Sequence, residues 1–241
     1  MKLQRLLSYV RRAVDDYNMI EEGDKIAVGI SGGKDSLCTL IALAHLRRFY
    51  PKKFELVGIT VSLGFEGTDY SPVKKLCDEL NVEYYVVNTD IGQIIFDERR
   101  EKNPCSLCAK MRKGALNDEA DRLGCNKIAL GHNKDDVVET FFMSLFFEGR
   151  INTFAPVSFL DRMKLYSIRP LMYVPEYEAR SFINQGGYTL VENPCPADGE
   201  TKRQEIRDLI KVLSKDYENL SGKVFGAIQR SAIKGWDTPK E

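Results

Sequence analysis

The chain has 241 residues, 43% of them hydrophobic, and its 35 basic and 35 acidic side chains cancel to a formal net charge of zero. That length and composition fit one large globular domain, or one domain with small appendages, built on a real core. Balanced charge excludes a global field that would draw the chain to nucleic acid or membrane, so such binding must come from local patches.

In chain order, Leu3, Leu6, Leu7, Val10 and Val14 predict an amphipathic helix over 3–20, which Gly23-Asp24 ends. Charged Arg11, Arg12, Asp15 and Asp16 follow too soon for a signal peptide. No stretch reaches the roughly 20 apolar residues of a membrane span, which predicts a cytoplasmic protein without a membrane partner. There the six cysteines are expected to be reduced. Strands are predicted at 25–30, 54–62, 82–87 and 126–131. Helices are predicted at 36–48, at 71–80 with Ser71 as N-cap and Pro72 at the first helical position, at 90–100 and at 134–147. This alternation predicts an α/β fold, a doubly wound, mostly parallel sheet that collects ligands beyond the carboxyl ends of its strands. After about residue 150 the rhythm changes to a hairpin, 157–160 with 165–168, then helices near 176–185 and 200–213. The expected organisation is an N-terminal helix over 1–22, a nucleotide-binding domain over 23–170, a helical part over 171–234 and a loose tail over 235–241.

The segment Ser31-Gly32-Gly33-Lys34-Asp35-Ser36 directly follows the apolar run 26–30. Glycines let a backbone turn tightly and bring its N–H groups to an anion, and the following helix adds its positive dipole end. The four-residue spacer of the Walker signature is missing. The hexamer resembles the SGGxDS loop of the PP-loop ATP pyrophosphatases; the bland alternative is an ordinary Gly-rich turn.

Asn103-Pro104-Cys105-Ser106-Leu107-Cys108 places two thiols three residues apart at the start of a helical pattern carried by Leu107, Met111, Ala115, Leu116, Ala120 and Leu123. A helix start lowers thiol pKa, and Arg112, four residues after Cys108, shares its face. By itself the pair fits half a zinc site, a dithiol or coincidence, and no second close pair completes a zinc ribbon. Cys195, between Pro194 and Pro196, is the best third ligand. Three thiolates can hold a cubane iron–sulfur cluster with one iron open. Cys38, Cys77 and Cys125 read as packing.

SGGKDS at 31–36, CSLCAKMRKG at 105–114, LGCNKIALGHNKDDVVET at 123–140 and Cys195 together resemble the tRNA 2-thiocytidine synthetase (TtcA-like) branch of the PP-loop family, over roughly residues 24–212. The resemblance implies an ATP-dependent tRNA sulfurtransferase. Ser31, Gly32, Gly33, Lys34, Asp35 and Ser36, with Gly131 and His132, would bind ATP. Asp35 would hold Mg²⁺, and Cys105, Cys108 and Cys195 would hold a [4Fe–4S] cluster. Lys34, Asp35, Arg112, Asp135 and Asp136 would be catalytic. ATP would adenylate the C2 carbonyl oxygen of a cytidine in an anticodon loop, and sulfur on the open iron would then displace AMP. The resemblance also implies a sulfur donor such as a cysteine desulfurase or free sulfide, and dimers in some members. Basic residues around 99–113 and 150–169 would hold the RNA backbone. Asn133 and the two aspartates also fit plain helix capping, and Val137, Val138, Phe141, Phe142, Leu145 and Phe146 read as core.

The chain departs from the family in carrying Asp198 where members often have a further cysteine. The rival readings are a PP-loop ligase or amidotransferase-like enzyme without a cluster, and a zinc-bearing RNA-binding protein without ATP turnover.

Overall fold

The computed structural model describes residues 1–99, 104–192, 195–196 and 202–236. Six strands form one sheet in the order β3-β2-β1-β4-β6-β5: β1 (Asp24–Gly29), β2 (Phe54–Ser62), β3 (Glu83–Asn88), β4 (Lys127–Ala129), β5 (Val157–Leu160) and β6 (Leu165–Ile168). Pairing is parallel from β3 through β6, and only the β5–β6 hairpin is antiparallel. The expected doubly wound, mostly parallel sheet is the fold observed.

The helices are α1 (Leu3–Asp16), α2 (Lys34–Leu46), α3 (Ser71–Glu79), α4 (Ile91–Gln93) running into a π turn over Ile94–Glu98, α5 (Pro104–Arg122), α6 (Lys134–Glu148), α7 (Glu176–Gly186), α8 (Lys202–Leu213) and α9 (Leu220–Gln229). They cover both faces of the sheet. Ile26, Val28 and Ile30 face a large cluster with α1, α2, α7 and α9, while Ala27 and Ile59 face a smaller one with Ala120 of α5. That alternation is the period-two rule of a strand buried on both sides. Away from the site, Lys127 Nζ lies 2.8 Å from Asp24 and donates to the Met19 carbonyl, tying β4 to the start of β1. Among the described residues no helix is long and apolar enough to cross a membrane.

Several local expectations are corrected. Helix α1 stops at Asp16, because Asn18 turns left-handed (φ 45°) and carries Met19 and Ile20 into the core outside the helix. Tyr70, not Ser71, caps α3, and Asp69 accepts from the Ser71 amide and hydroxyl. Leu145 and Phe146 are exposed rather than core. Of the tail expected over 235–241, Trp236 is fully buried, edge-on to Tyr17 and Phe225, and 237–241 lie outside the described residues. Arg169 belongs to no surface patch, since it is only 9% exposed, whereas Arg150, Arg162 and Lys164 are exposed. Arg100, Lys102, Asp198 and the first two residues of the 200–213 helix lie outside the described residues.

Candidate functional site

The phosphate-type loop forms between β1 and α2. Gly33 takes the N-cap position of α2 with no side chain capping it, so first-turn amides stay available to an anion. Ser31 Oγ accepts from the Gly33 amide at 3.3 Å, and Ser36 Oγ donates to the Gly33 carbonyl at 2.8 Å. Gly32 has φ +81°, and a Cβ there would sit 2.4 Å from Val191 Cβ, so only glycine fits. The Val191 amide donates to the Gly32 carbonyl at 3.1 Å, which tethers the segment leading to Cys195 onto this loop.

Lys34 Nζ lies 2.8 Å from Asp35 and 3.0 Å from Glu176. Burial pushes the Asp35 carboxyl up while Lys34 pulls it back. The lysine, despite its own burial, is held above its ordinary value by Asp35 and Glu176, so the group is an ion pair. Asn133 Nδ2 donates to Asp35 Oδ1 at 3.2 Å. The same Asn133 caps α6, accepting from the Asp135 and Asp136 amides, and Asp136 returns the bond to the Asn133 amide. The capping role of this trio is therefore observed. Asp135 also accepts from the Glu176 amide at 2.6 Å, and burial raises its pKa.

A pocket of about 650 Å³ opens at the carboxyl ends of β1, β2 and β4. Ser31, Gly33, Asp35, Ser36, Arg112, Gly131, His132 and Asp136 all line it, whereas Gly32, Lys34 and Asp135 do not. A Cβ on Gly131 would meet the Asp35 carbonyl carbon at 2.8 Å, so this glycine lets the end of β4 press against the start of α2. His132 lies against Phe154 with ring centroids 4.8 Å apart and planes tilted by 38°, and burial lowers its pKa to about 3. Arg169 and Ser167, absent from the expected site, also line the pocket.

Helix α5 roofs the pocket with Ala109, Arg112, Lys113 and Leu116. Cys105 is exposed; Cys108 and Cys195 are half-buried. Burial pushes the Cys108 thiol up, against the pull of an Arg112 hydrogen bond, and the charges of Cys195 and Cys105 raise it further. The helix start thus does not leave Cys108 with a low pKa, contrary to expectation. The charges of both Cys105 and Cys195 act on Cys108. Among the described residues no three His, Cys, Asp or Glu side chains converge on a point that could hold one metal ion. A single zinc needs sulfurs at about 2.3 Å from a common centre, whereas a cubane cluster seats each thiolate on its own iron. As a donor set, three thiols of which two act electrostatically on the third match in kind the thiolate ligands of a cluster. Cys38, Cys77 and Cys125 are buried, their thiols pushed up to about 12, 12 and 11 by burial, and serve packing.

Sequence reasoning missed one charged network. Glu139, only 3% exposed, accepts from Arg203 Nη1 at 2.9 Å and Arg207 Nε at 2.6 Å, and Arg203 also reaches Asp136 at 3.4 Å. These bonds dock α8, which follows the Cys195 segment, onto α6 at the pocket edge. The one local hint was Arg203 and Arg207 at i, i+4, a basic stripe lacking its acidic partner in the same helix.

An uncapped helix start behind a Ser-Gly-Gly turn, at the central strand of a parallel sheet, defines a nucleotide-binding α/β protein. The family described as PP-loop domain matches residues 5–213. Among relatives, the tRNA-cytidine(32) 2-sulfurtransferase of Teredinibacter turnerae is 38% identical over 232 residues, covering 95% of this chain and 77% of that protein. The enzyme of the same name from Pelobacter propionicus is 37% identical, covering 93% and 85%. The solved U34-tRNA thiolase NcsA from Methanococcus maripaludis, with its [4Fe–4S] cluster, superposes with a TM-score of 0.73 at 26% identity, covering 91% of this chain and 76% of that one. The chain belongs to the PP-loop family, in the tRNA-cytidine(32) 2-sulfurtransferase branch, and is an enzyme of that class.

Proposed function

We propose that this enzyme uses ATP to replace the C2 oxygen of a tRNA cytidine, position 32 by the relatives' name, with sulfur. The observation that carries the reading is one pocket lined both by Ser31, Gly33, Asp35 and Ser36 of the phosphate loop and by Arg112, one turn beyond Cys108 on α5. An activating nucleotide and a sulfur-handling thiol set are thereby offered to the same substrate atom.

In this reading the loop amides and Ser36 bind the phosphates, and Asp35 gives Mg²⁺ a hard oxygen ligand. Lys34 turns from Glu176 toward the charge that develops on the α-phosphate. The base's carbonyl oxygen attacks that phosphorus, pyrophosphate leaves, and the oxygen becomes part of a leaving group. Cys105, Cys108 and Cys195 would hold a [4Fe–4S] cluster, which would supply a place to carry sulfide-level sulfur, taken from free sulfide or, with a thiol as two-electron reductant, from a desulfurase persulfide. Arg112 holds an anion between roof and floor, and AMP departs when the carbon–sulfur bond forms. His132, Asp135 and Asp136 act behind this chemistry: Asn133 and Asp136 fix the α6 start, and Asp135 fixes Glu176 beside Lys34. Exposed Arg150, Arg162, Lys164 and Lys113 offer contacts to RNA phosphates.

The test is anaerobic purification with iron, sulfide and zinc analysis of the wild type and of Cys105→Ala, Cys108→Ala and Cys195→Ala, followed by nucleoside analysis of treated tRNA. About four irons and four sulfides per chain, lost in each variant together with 2-thiocytidine, is the expected result. Zinc alone, or iron untouched by Cys195→Ala, overturns it.

A further inference from the structure

The pocket has two unlike halves. Beside the phosphate loop, toward β2, its wall is Ile59 and Val61, an apolar slot of the kind that takes a purine ring. Across β4 the wall changes to Ser167 and Arg169 of the β6 end. Ser167 lies on β6 and Arg169 directly follows its last residue, Ile168, and both line the pocket. Ser167 pairs in register with Ile128, which lines the same pocket.

Both side chains are buried, Ser167 to 2% exposure and Arg169 to 9%, and both keep a polar atom without a partner: Ser167 Oγ and Arg169 Nε. His132 Nδ1, between the halves, is a third. Of the five such buried atoms among the described residues, these three belong to residues that line the pocket. Buried polar groups are normally bonded, so a cluster of unmet donors and acceptors at one wall marks a place where a ligand completes them.

Arg169 is held rigidly for that purpose. Its Nη1 donates to the Ala155 carbonyl at 2.6 Å, and its guanidinium lies 4.9 Å from the centre of the Phe154 ring. One edge is thus pinned to the fold while the Nε–H stays free. Among the described residues no carboxylate pairs with it, so the site offers a fixed donor and a positive charge to an acceptor atom. The nucleotide's phosphates already have the α2 start on the other side of β4.

We propose that Ser167 and Arg169 seat the base that is modified: Arg169 Nε–H donates to a ring nitrogen or carbonyl oxygen of an unstacked pyrimidine, and Ser167 Oγ completes its polar edge. This rests on the reading of the enzyme as acting on a tRNA cytidine. A flipped base needs such an edge reader, because stacking alone does not distinguish one base from another. It also sets the carbonyl between the two halves, where the α-phosphate can reach it.

The test uses the full chain and two labelled stem–loop RNAs, one with an unpaired cytidine in the loop and one abasic at that position. Their affinities are compared in wild type, Ser167→Ala, Arg169→Gln and Arg169→Lys, alongside Mg·ATP binding by equilibrium dialysis and thermal unfolding. The wild type is expected to prefer the cytidine loop. Ser167→Ala and Arg169→Gln are expected to reduce that preference by about fivefold or more without changing ATP affinity. Ser167→Ala breaks no bond in the fold, so its unfolding midpoint is expected to hold, and it carries the test if Arg169→Gln does not fold. Retention of the full preference in Ser167→Ala and the folded Arg169 variants would overturn the proposal, as would a loss of ATP affinity with preference intact. A wild type indifferent to the base would overturn it too. A wild type that prefers the cytidine loop yet transfers no sulfur would instead overturn the parent reading and leave the base seat standing.

Discussion

Gly131 packs against the backbone of Asp35 so closely that a Cβ would lie 2.8 Å from its carbonyl carbon and 2.9 Å from both its oxygen and the Ser36 amide. The contact sets the distance between the end of β4 and the positive end of α2, and all three residues line the pocket. Backbone cannot swing aside as a side chain can. Gly131→Ala is therefore expected to cost about 1–3 kcal/mol of stability and to weaken Mg·ATP binding, because the overpacking is relieved by moving the first turn of α2. Urea unfolding and equilibrium dialysis measure the two effects; loss of stability with unchanged ATP affinity would show that the strain relaxes elsewhere.

Lys34 is held by Asp35 and Glu176 and is not among the residues that line the pocket. Its ammonium reaches a phosphate only by exchanging Glu176 for it. Lys34→Met is expected to lower the rate of AMP formation by about 10²–10³-fold with a smaller change in ATP affinity, since the loop amides remain. Rapid-quench measurement of AMP release under single turnover separates the two. An equal loss in rate and affinity would make Lys34 a ground-state binder.

The sheet and the phosphate loop were legible because their signals are local: apolar runs of strand length, a Ser-Gly-Gly turn and a Lys-Asp-Ser helix start. Strand β2 and the β5–β6 hairpin fall on their expected residues. Helix α9 was not legible, since Gly222 and Gly226 interrupt its pattern and its cap residue Asn219 sits in the left-handed region with no capping bond. The two-residue step from Ser167 to Arg169 reads only as strand alternation. Nothing near them in sequence shows that their polar atoms end up sealed beside a loop more than a hundred residues earlier. Glu139 was hidden for the same reason, its partners lying 64 and 68 residues away.

That buried carboxylate makes a prediction of its own. Glu139 is the nearer of two anions shared by Arg203 and Arg207, and without it the two guanidiniums keep only Asp136, at 3.4 and 3.9 Å. Glu139→Gln keeps the shape and removes the charge, at an expected cost of about 3 kcal/mol. The loss is expected to fall on α8, whose docking depends on these bonds, so hydrogen exchange should rise over 202–213 before the sheet is affected. Uniform exchange across the chain would place the network in global stability instead.

His132 gives the pH dependence. Burial, then the nearby Arg169 and Arg203 charges, lowers its pKa to about 3, while an unfolded histidine titrates near 6.5. The unfolded chain therefore binds a proton that the folded chain refuses, and protonation favours unfolding. The stability contributed by the neutral ring is fully present above about pH 6.5 and is lost as pH falls toward about 3. The only other histidine, His45, is also lowered by burial and acts in the same sense, so a difference measurement is needed. His132→Phe keeps a ring against Phe154 and cannot titrate. Between pH 6.5 and 4.5 the wild type is expected to lose stability faster than the variant, by up to about 1.4 kcal/mol per pH unit. Urea unfolding at a series of pH values measures both slopes. Parallel curves would mean that His132 finds a partner for its proton in the folded state, and that its Nδ1 is not held open toward the pocket.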